Sequence, residues 1–311
     1  MQFSAITFFN EIYLNRGIAL VVSALQNNSE LTQFFIQTLD EESYRVCNLV
    51  FKDSSRIKIF SPSSIESDLK EVNEISSGNE VFFMIKPICI LRCIQRERIK
   101  GNLIYFDADL FFFQSLKLPI RNETSSVLLS KHIFAKRTEG HSQYGIYNAG
   151  FISFQLDEDE SLAFVKEWLS ACLEKIKDRK PGISFSDQVV LNQIADRSKQ
   201  INFFSDMRIN QSLWSIGSIF DLSSRAKARL LIEQCMIYHF HGFHEFENLL
   251  RVGIRRYGLT STRKISLICQ VYIPYIIALW NVRAKRGFSE KPLVLWRVFL
   301  SILLTDKVKL R

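Results

Sequence analysis

The sequence predicts an α/β protein whose mixed, mainly parallel sheet is flanked by helices and followed by a basic helical tail. Three observations carry this expectation. Short β-branched and aromatic runs alternate with helix-period segments through the first 110 residues, as expected of strands joined by crossover helices. Asn10, Asp40 and Asp107 fall where those strands are expected to end, and open α/β sheets collect ligands at the carboxyl ends of their strands. One shift in composition, near residue 250, divides the chain into a main domain, 1–250, and an apolar, basic tail, 251–311.

Each element has its own signal. Ile6-Thr7-Phe8-Phe9 reads as a first strand closed by Asn10. Leu14, Ile18, Val21, Val22 and Leu25 share one face of a helix expected over Tyr13–Leu25. Phe34–Leu39 and Arg56–Phe60 read as the next two strands, closed by Asp40 and by Ser61-Pro62-Ser63-Ser64. Pro87–Gln95 is largely apolar and reads as a buried helix with Pro87 at its first position, where no backbone donor is missed. Asn102–Phe106 is a hydrophobic strand running into Asp107. Ser126–Leu129 and Tyr147–Phe154 read as strands, and Leu162–Ile176 as an amphipathic helix. A helix over Ser186–Ile194 has Asp187 in its first turn, and Met236–Phe240 reads as the last core strand.

Composition narrows the function classes. The 311 residues are 47% hydrophobic and 23% charged, which fits a globular protein able to bury a core without staples. Six cysteines are scattered with no CxxC pair, so buried, reduced thiols are expected rather than a zinc site or a disulfide scaffold. The N-terminus lacks a basic leader, and no run of about 18 uncharged apolar residues occurs. A cytoplasmic protein, peripheral on the cytoplasmic membrane face, is the expected location. Residues 251–311 hold 13 Lys+Arg against 2 Asp+Glu, whereas the first 250 hold 27 against 30. The positive charge therefore belongs to the tail, and the main domain is not expected to bind nucleic acid. Within the tail, Ile265–Trp280 and Leu293–Leu304 are apolar and flanked by basic residues. This suits either an anionic membrane surface or a pair of helices docked on the main domain.

Four clusters carry candidate chemistry. Asp107-Ala108-Asp109 follows an apolar strand, and two carboxylates among apolar residues are costly to bury unpaired. A hard divalent cation, Mn²⁺ or Mg²⁺, satisfies both. Tyr147-Asn148-Ala149-Gly150-Phe151 combines an amide that donates and accepts with a glycine that permits close approach. Asp187-Gln188 opens a helix, where a carboxylate also serves as an ordinary cap. Three of the five histidines, His239, His241 and His244, fall within six positions around a strand end, which favours a metal or phosphate site.

The order of these clusters resembles that of nucleotide-diphospho-sugar glycosyltransferases of the GT-A fold. Within them it looks most like glycosyltransferase family 8 and its bacterial relatives, including lipopolysaccharide sugar transferases and glycogenin. The resemblance covers roughly residues 3 to 245. It implies a metal site of Asp107, Asp109 and His239, with Asp107 also near the donor ribose. It places Asn148 near the transferred sugar and Asp187 and Gln188 on the sugar hydroxyls beside the anomeric carbon, as the catalytic group. Asn10 and Tyr13 are implied at the nucleotide base. His241 departs from the commonest family 8 pattern and is assigned to the diphosphate, and Lys86 is a weaker transfer toward the donor. The implied reaction moves a sugar, with retained configuration, from a UDP-sugar to a glycan or lipid-linked acceptor. Inversion would need a carboxylate base near the acceptor, for which Asp187 is the candidate. Two other readings remain: a non-catalytic membrane-surface adaptor, and a haloacid-dehalogenase-type phosphatase, which wants Thr or Val where this chain has Phe111.

Overall fold

The computed structural model describes residues 1–76, 79–117, 126–132, 134, 140, 145–157, 159–178, 186–197, 201–204, 206, 208–215, 235–246, 249–254, 265, 267–287, 295–305 and 307–309. Its strands are β1 (Phe3–Phe9), β2 (Leu31–Thr38), β3 (Ile57–Phe60), β4 (Asn102–Phe106), β5 (Leu110–Phe112), β6 (Val127–Lys131), β7 (Tyr147–Gln155), β8 (Ile201–Phe203), β9 (Ile237–His239), β10 (His244–Phe246), β11 (Leu249–Arg251) and β12 (Lys307–Lys309). The helices are α1 (Leu14–Asn27), α2 (Glu41–Val50), α3 (Glu66–Ile75), α4 (Asn79–Glu97), α5 (Asp159–Lys177), α6 (Asp187–Ala195), α7 (Ile273–Lys285) and α8 (Leu295–Thr305).

The central sheet has the order β3-β2-β1-β4-β7-β6-β8. β1 to β4 pair in parallel, β7 runs antiparallel to both its neighbours, and β6 pairs in parallel with β8. Hence the C-terminal ends of β1, β2 and β4 open on one edge, and the N-terminal end of β7 meets them there. β1 and β4 are buried along nearly their whole length, because apolar layers cover both faces of the sheet. One layer packs α1 and the C-terminal helices, and the other packs α4, α5 and α6. A Cβ at Gly17 of α1 would fall 2.3 Å from the Phe9 ring, so only glycine lets the first helix lie this close to the end of β1.

Two expectations need correction. Pro87 is not at the start of its helix: α4 begins at Asn79 and carries the proline inside it. Burial of Met84, Ile85, Ile88, Cys89 and Ile90 holds the helix across the missing backbone donor, so tertiary packing overrides the local penalty. Met236–Phe240 is not a strand of the central sheet: β9 pairs antiparallel with β5 in a separate two-stranded ribbon. Asp40 follows the C-terminal end of β2, as expected, and there it caps α2, its two oxygens accepting from the Ser43 and Glu11 backbone N–H groups, each at 2.7 Å.

The C-terminal segment packs into the same core as α1 and β5. Leu267, Ile268, Val271, Tyr272, Tyr275, Ile276, Leu279 and Val282 are buried there, joined by Val298 and Ile302 of α8. The Tyr275 ring stacks on Phe240 with centroids 3.6 Å apart. Arg283 of α7 pairs with Glu245 of β10 at 3.1 Å, both nearly inaccessible, and Asn15 of α1 donates to the same carboxylate at 2.6 Å. β12 returns to pair with β11, which spans the composition shift at residue 250. Among the described residues no helix is long and apolar enough to cross a membrane. All six cysteines are free; five are buried and Cys269 is exposed.

Candidate functional site

The turn after β4 carries Asp107-Ala108-Asp109 and leads directly into β5. The pairing of β5 with β9 sets Leu110 opposite His239, and the Phe240 N–H donates to the Asp109 carbonyl at 2.9 Å. The histidine thus arrives beside the second aspartate from a point 130 residues further along the chain. Ligand atoms of Asp107, Asp109 and His239 lie within 4.8 Å of one another. Asp109 Oδ1 and His239 Nε2 are 3.1 Å apart.

These residues fit a divalent cation. Two carboxylate oxygens and one imidazole suit Mn²⁺ or Mg²⁺. Neighbouring ligands on an octahedral cation with bonds near 2.1 Å stand about 3 Å apart, close to the Asp109–His239 spacing. His239 Nδ1–H donates to Asn210 Oδ1 at 3.1 Å, which turns Nε2 toward the aspartates. Electrostatics agrees. Burial pushes the Asp109 carboxyl upward, but contact with His239 outweighs it and holds the group below the usual carboxylate range. Burial pulls the His239 ring downward, and Asp109 more than reverses this.

β7 forms the floor. Asn148 Oδ1 accepts from the Gly150 N–H at 2.8 Å and from Asn210 Nδ2 at 2.9 Å, while Asn148 Nδ2 donates to His132 Nε2 at 2.8 Å. Gln188 Oε1 accepts from the Ala149 N–H at 3.3 Å and from Asn148 Nδ2 at 3.4 Å, tying α6 to the strand. At Gly150 an added Cβ would lie 2.7 Å from Asp107 Oδ2, 2.8 Å from Asn148 Oδ1 and 2.8 Å from His239 Cε1. The glycine therefore lets Asp107, His239 and the Asn148 amide share one point.

Lys86 sits on α4, 6% exposed, and bridges Asp107 Oδ1 and Asp187 Oδ2 at 3.1 Å each. It also donates to the Ala149 carbonyl at 3.3 Å. Burial alone would lower its affinity for the proton, but the two carboxylates raise it above the ordinary lysine value, so the ammonium stays charged. Asp187 moves the other way. Burial lifts its carboxyl above the usual range, and Lys86 only partly offsets this. Its helix is preceded by Ser186 at the capping position, so Asp187 is not the cap.

Asn10 follows β1, and its Oδ1 is buried with no hydrogen-bond partner among the described residues. Tyr13 lies between Phe82, 6.4 Å away, and the Arg16 guanidinium, 3.8 Å from its ring centre. Burial and then the nearby Asp109 raise its phenol. His241 is exposed beside Trp214, with ring centres 5.4 Å apart, and Trp214 also meets His239 edge-on at 5.1 Å. The fold therefore brings all ten candidates, Asn10, Tyr13, Lys86, Asp107, Asp109, Asn148, Asp187, Gln188, His239 and His241, to one edge of the sheet and its adjoining ribbon. Three polar neighbours were absent from the sequence expectation: Arg16, His132 and Asn210. Arg16 had a usable signal, since a cation in the first turn of a helix opposes the macrodipole. Asn210 and His132 lie in segments without periodicity or motif.

No family model matches the chain. Over 242 residues it is 26% identical to YfnF of Bacillus subtilis (strain 168), itself uncharacterised, which covers 74% of this chain and 78% of that protein. The fold matches the apo structure of the bifunctional glycosyltransferase WbbM, with a TM-score of 0.53 and 14% identity over 78% of this chain and 46% of the other. It also matches the glycosyltransferase GlyE of Streptococcus pneumoniae TIGR4, with a TM-score of 0.51 and 14% identity over 92% of this chain and 64% of the other. The chain thus spans less than two thirds of either solved protein. The chain therefore has a GT-A-like fold, similar to that of these two solved proteins.

Proposed function

We propose that the chain is a glycosyltransferase that moves a sugar from a nucleotide-diphosphate donor, a UDP-sugar, to a glycan or lipid-linked acceptor. The reading rests on one observation: Asp107, Asp109 and His239 converge within 4.8 Å at the sheet edge that also holds the Asn148–Gln188 pair. Mn²⁺ or Mg²⁺ bound by those three side chains supplies positive charge against the leaving diphosphate. The protein does the rest by positioning. The Asn10 side-chain oxygen Oδ1, without a partner among the described residues, suits an N–H on the nucleotide base, and Tyr13 offers a ring edge there. His241, exposed on the near side, faces the diphosphate. Asn148, Asp187 and Gln188 orient the sugar as it gains oxocarbenium character.

Retention of anomeric configuration is the favoured outcome. An inverting enzyme needs a carboxylate base open to the acceptor, and Asp187 is 2% exposed and engaged by Lys86. Lys86 instead serves as a fixed positive charge between Asp107 and the sugar-facing pair.

The test is a melting screen of nucleotide sugars with and without Mn²⁺, followed by NMR of the anomer released on slow donor hydrolysis. A true donor at about 100 times its Kd stabilises the fold by about 2.7 kcal/mol. The reading falls if no nucleotide sugar raises the melting temperature in the presence of Mn²⁺ and none is hydrolysed. Release of the inverted anomer would overturn retention alone.

An anionic membrane surface on the cytoplasmic face is proposed as a further partner. The outward face of α8 carries exposed Arg297, Leu300 and Leu304, with Lys307 following, a mixture suited to a headgroup boundary. Leu300→Glu together with Leu304→Glu is expected to abolish flotation with phosphatidylserine-containing vesicles while leaving donor hydrolysis unchanged. Equal flotation of the variant would remove the tail from membrane contact.

A further inference from the structure

We propose that Asn210 is a positioning residue that sets which nitrogen of His239 faces the metal and couples that histidine to the sugar-facing amide of Asn148. The inference rests on the proposed metal and sugar sites, and it assigns a role to a residue in contact with neither ligand.

The argument is one of hydrogen-bond inventory. Asn210 is 2% exposed. Its Oδ1 accepts from His239 Nδ1 at 3.1 Å, and its Nδ2 donates to Ser130 Oγ at 2.7 Å and to Asn148 Oδ1 at 2.9 Å. Both amide hydrogens and the carbonyl are used, so the amide has one orientation. Reversing it would set an NH₂ against Nδ1–H and an oxygen against the Asn148 oxygen, two repulsive contacts in a buried place. Nδ1 is therefore the nitrogen that carries hydrogen toward Asn210, and Nε2 is presented to Asp109 and the cation. An outer partner of this kind fixes ring orientation and makes the imidazole a better ligand.

The same polarity runs onward. Asn148 Nδ2 donates to His132 Nε2 at 2.8 Å, and His132 Nδ1 donates to the Gly145 carbonyl at 3.2 Å. Every donor points from the metal toward Gly145, so His239, Asn210, Asn148 and His132 form one directed chain. Displacement of Asn148 by a bound sugar and rotation of His239 by a bound cation are then not independent. Asn210 also holds a backbone φ of +57°, a left-handed conformation that asparagine tolerates better than most residues. The left-handed backbone thus falls where three amide contacts require the side chain.

Two variants separate the roles. Asn210→Gly removes the side chain and keeps the positive φ without strain. Asn210→Asp keeps an acceptor for His239 but replaces the donor to Ser130 and Asn148 by oxygen. In the full chain, Mn²⁺ titration is expected to show a 10–100-fold weaker Kd for Asn210→Gly, the usual effect of losing an outer partner. For Asn210→Asp the Mn²⁺ Kd is expected to stay within a few-fold of wild type, while KM for the nucleotide sugar rises at least 10-fold. In metal-free protein the His239 Nδ1–H resonance of histidine-labelled samples should persist in wild type and Asn210→Asp and vanish in Asn210→Gly. Unchanged Mn²⁺ affinity and an unchanged Nδ1–H signal in Asn210→Gly would overturn the proposal, as would identical behaviour of the two variants. A wild-type chain that itself fails to bind Mn²⁺ would sink the proposed metal site, and the Nδ1–H signal would then decide the role of Asn210 by itself.

Discussion

Asp109→Asn is expected to lower kcat/KM for donor hydrolysis with Mn²⁺ by about 10³-fold, the scale seen when one electrostatic element is removed from a transition state. At about 1.36 kcal/mol per tenfold, that is about 4 kcal/mol of lost stabilisation. The substitution keeps the shape of the side chain, and the Asp109 backbone carbonyl still receives the Phe240 N–H. It removes the negative charge that pairs with His239 at 3.1 Å and would face the cation. Melting temperature should fall by a few degrees, because the contact with His239 that outweighs the burial of the carboxylate is lost. Mn²⁺ titration should show the affinity gone, and circular dichroism should match wild type. A variant that turns over normally with donor and Mn²⁺ would mean that the cation sits elsewhere.

The second large effect is expected from one methyl group. Gly150→Ala places a Cβ under 3 Å from Asp107 Oδ2, Asn148 Oδ1 and His239 Cε1 at once. None of the three can retreat freely. Asp107 is held by Tyr105 and Lys86, Asn148 by His132 and Asn210, and His239 by Asn210. Overpacking of this kind costs about 1–3 kcal/mol of stability. The functional cost is larger, since an error of about 1 Å in a reacting geometry is worth on the order of 10²-fold in rate. The variant should fold, melt several degrees lower, and lose both Mn²⁺ binding and donor hydrolysis by 10²-fold or more. Wild-type Mn²⁺ affinity in Gly150→Ala would show that the three side chains do not need to meet at this point.

Much of the site was legible because the chain marks it by contrast. Asp107 and Asp109 stand between Tyr105-Phe106 and Leu110-Phe111, and carboxylates rarely interrupt such runs without a partner. His239 and His241 flank a phenylalanine at a strand end for a similar reason. The first, second and fourth strands were legible because burial on both faces leaves near-continuous apolar runs. By contrast, α2 and α3 carry many charges and bury little, with only Val72 buried in α3, so no broad apolar stripe announced them. The pairing of β5 with β9 was invisible because each has only three residues, too few to show a period. Lys86 looked like a lysine before a proline-started helix. Only the helix that extends back to Asn79 shows it to be an interior cation between two carboxylates. Asn210 and His132 act through amide and ring orientations, which depend on neighbours brought from distant positions and leave no local pattern.

The stacking of Tyr275 on Phe240 and the clasp of Arg283 on Glu245 have a consequence for synthesis. Domains form from the N-terminus as the chain leaves the ribosome. Here the ribbon that delivers His239 is backed by residues translated some 35 to 45 positions later. The central sheet can assemble early, but the corner where His239 meets Asp107 and Asp109 waits for α7 to emerge and close behind it. On the proposed reading, a nascent polypeptide is inert toward donor until α7 has left the ribosome.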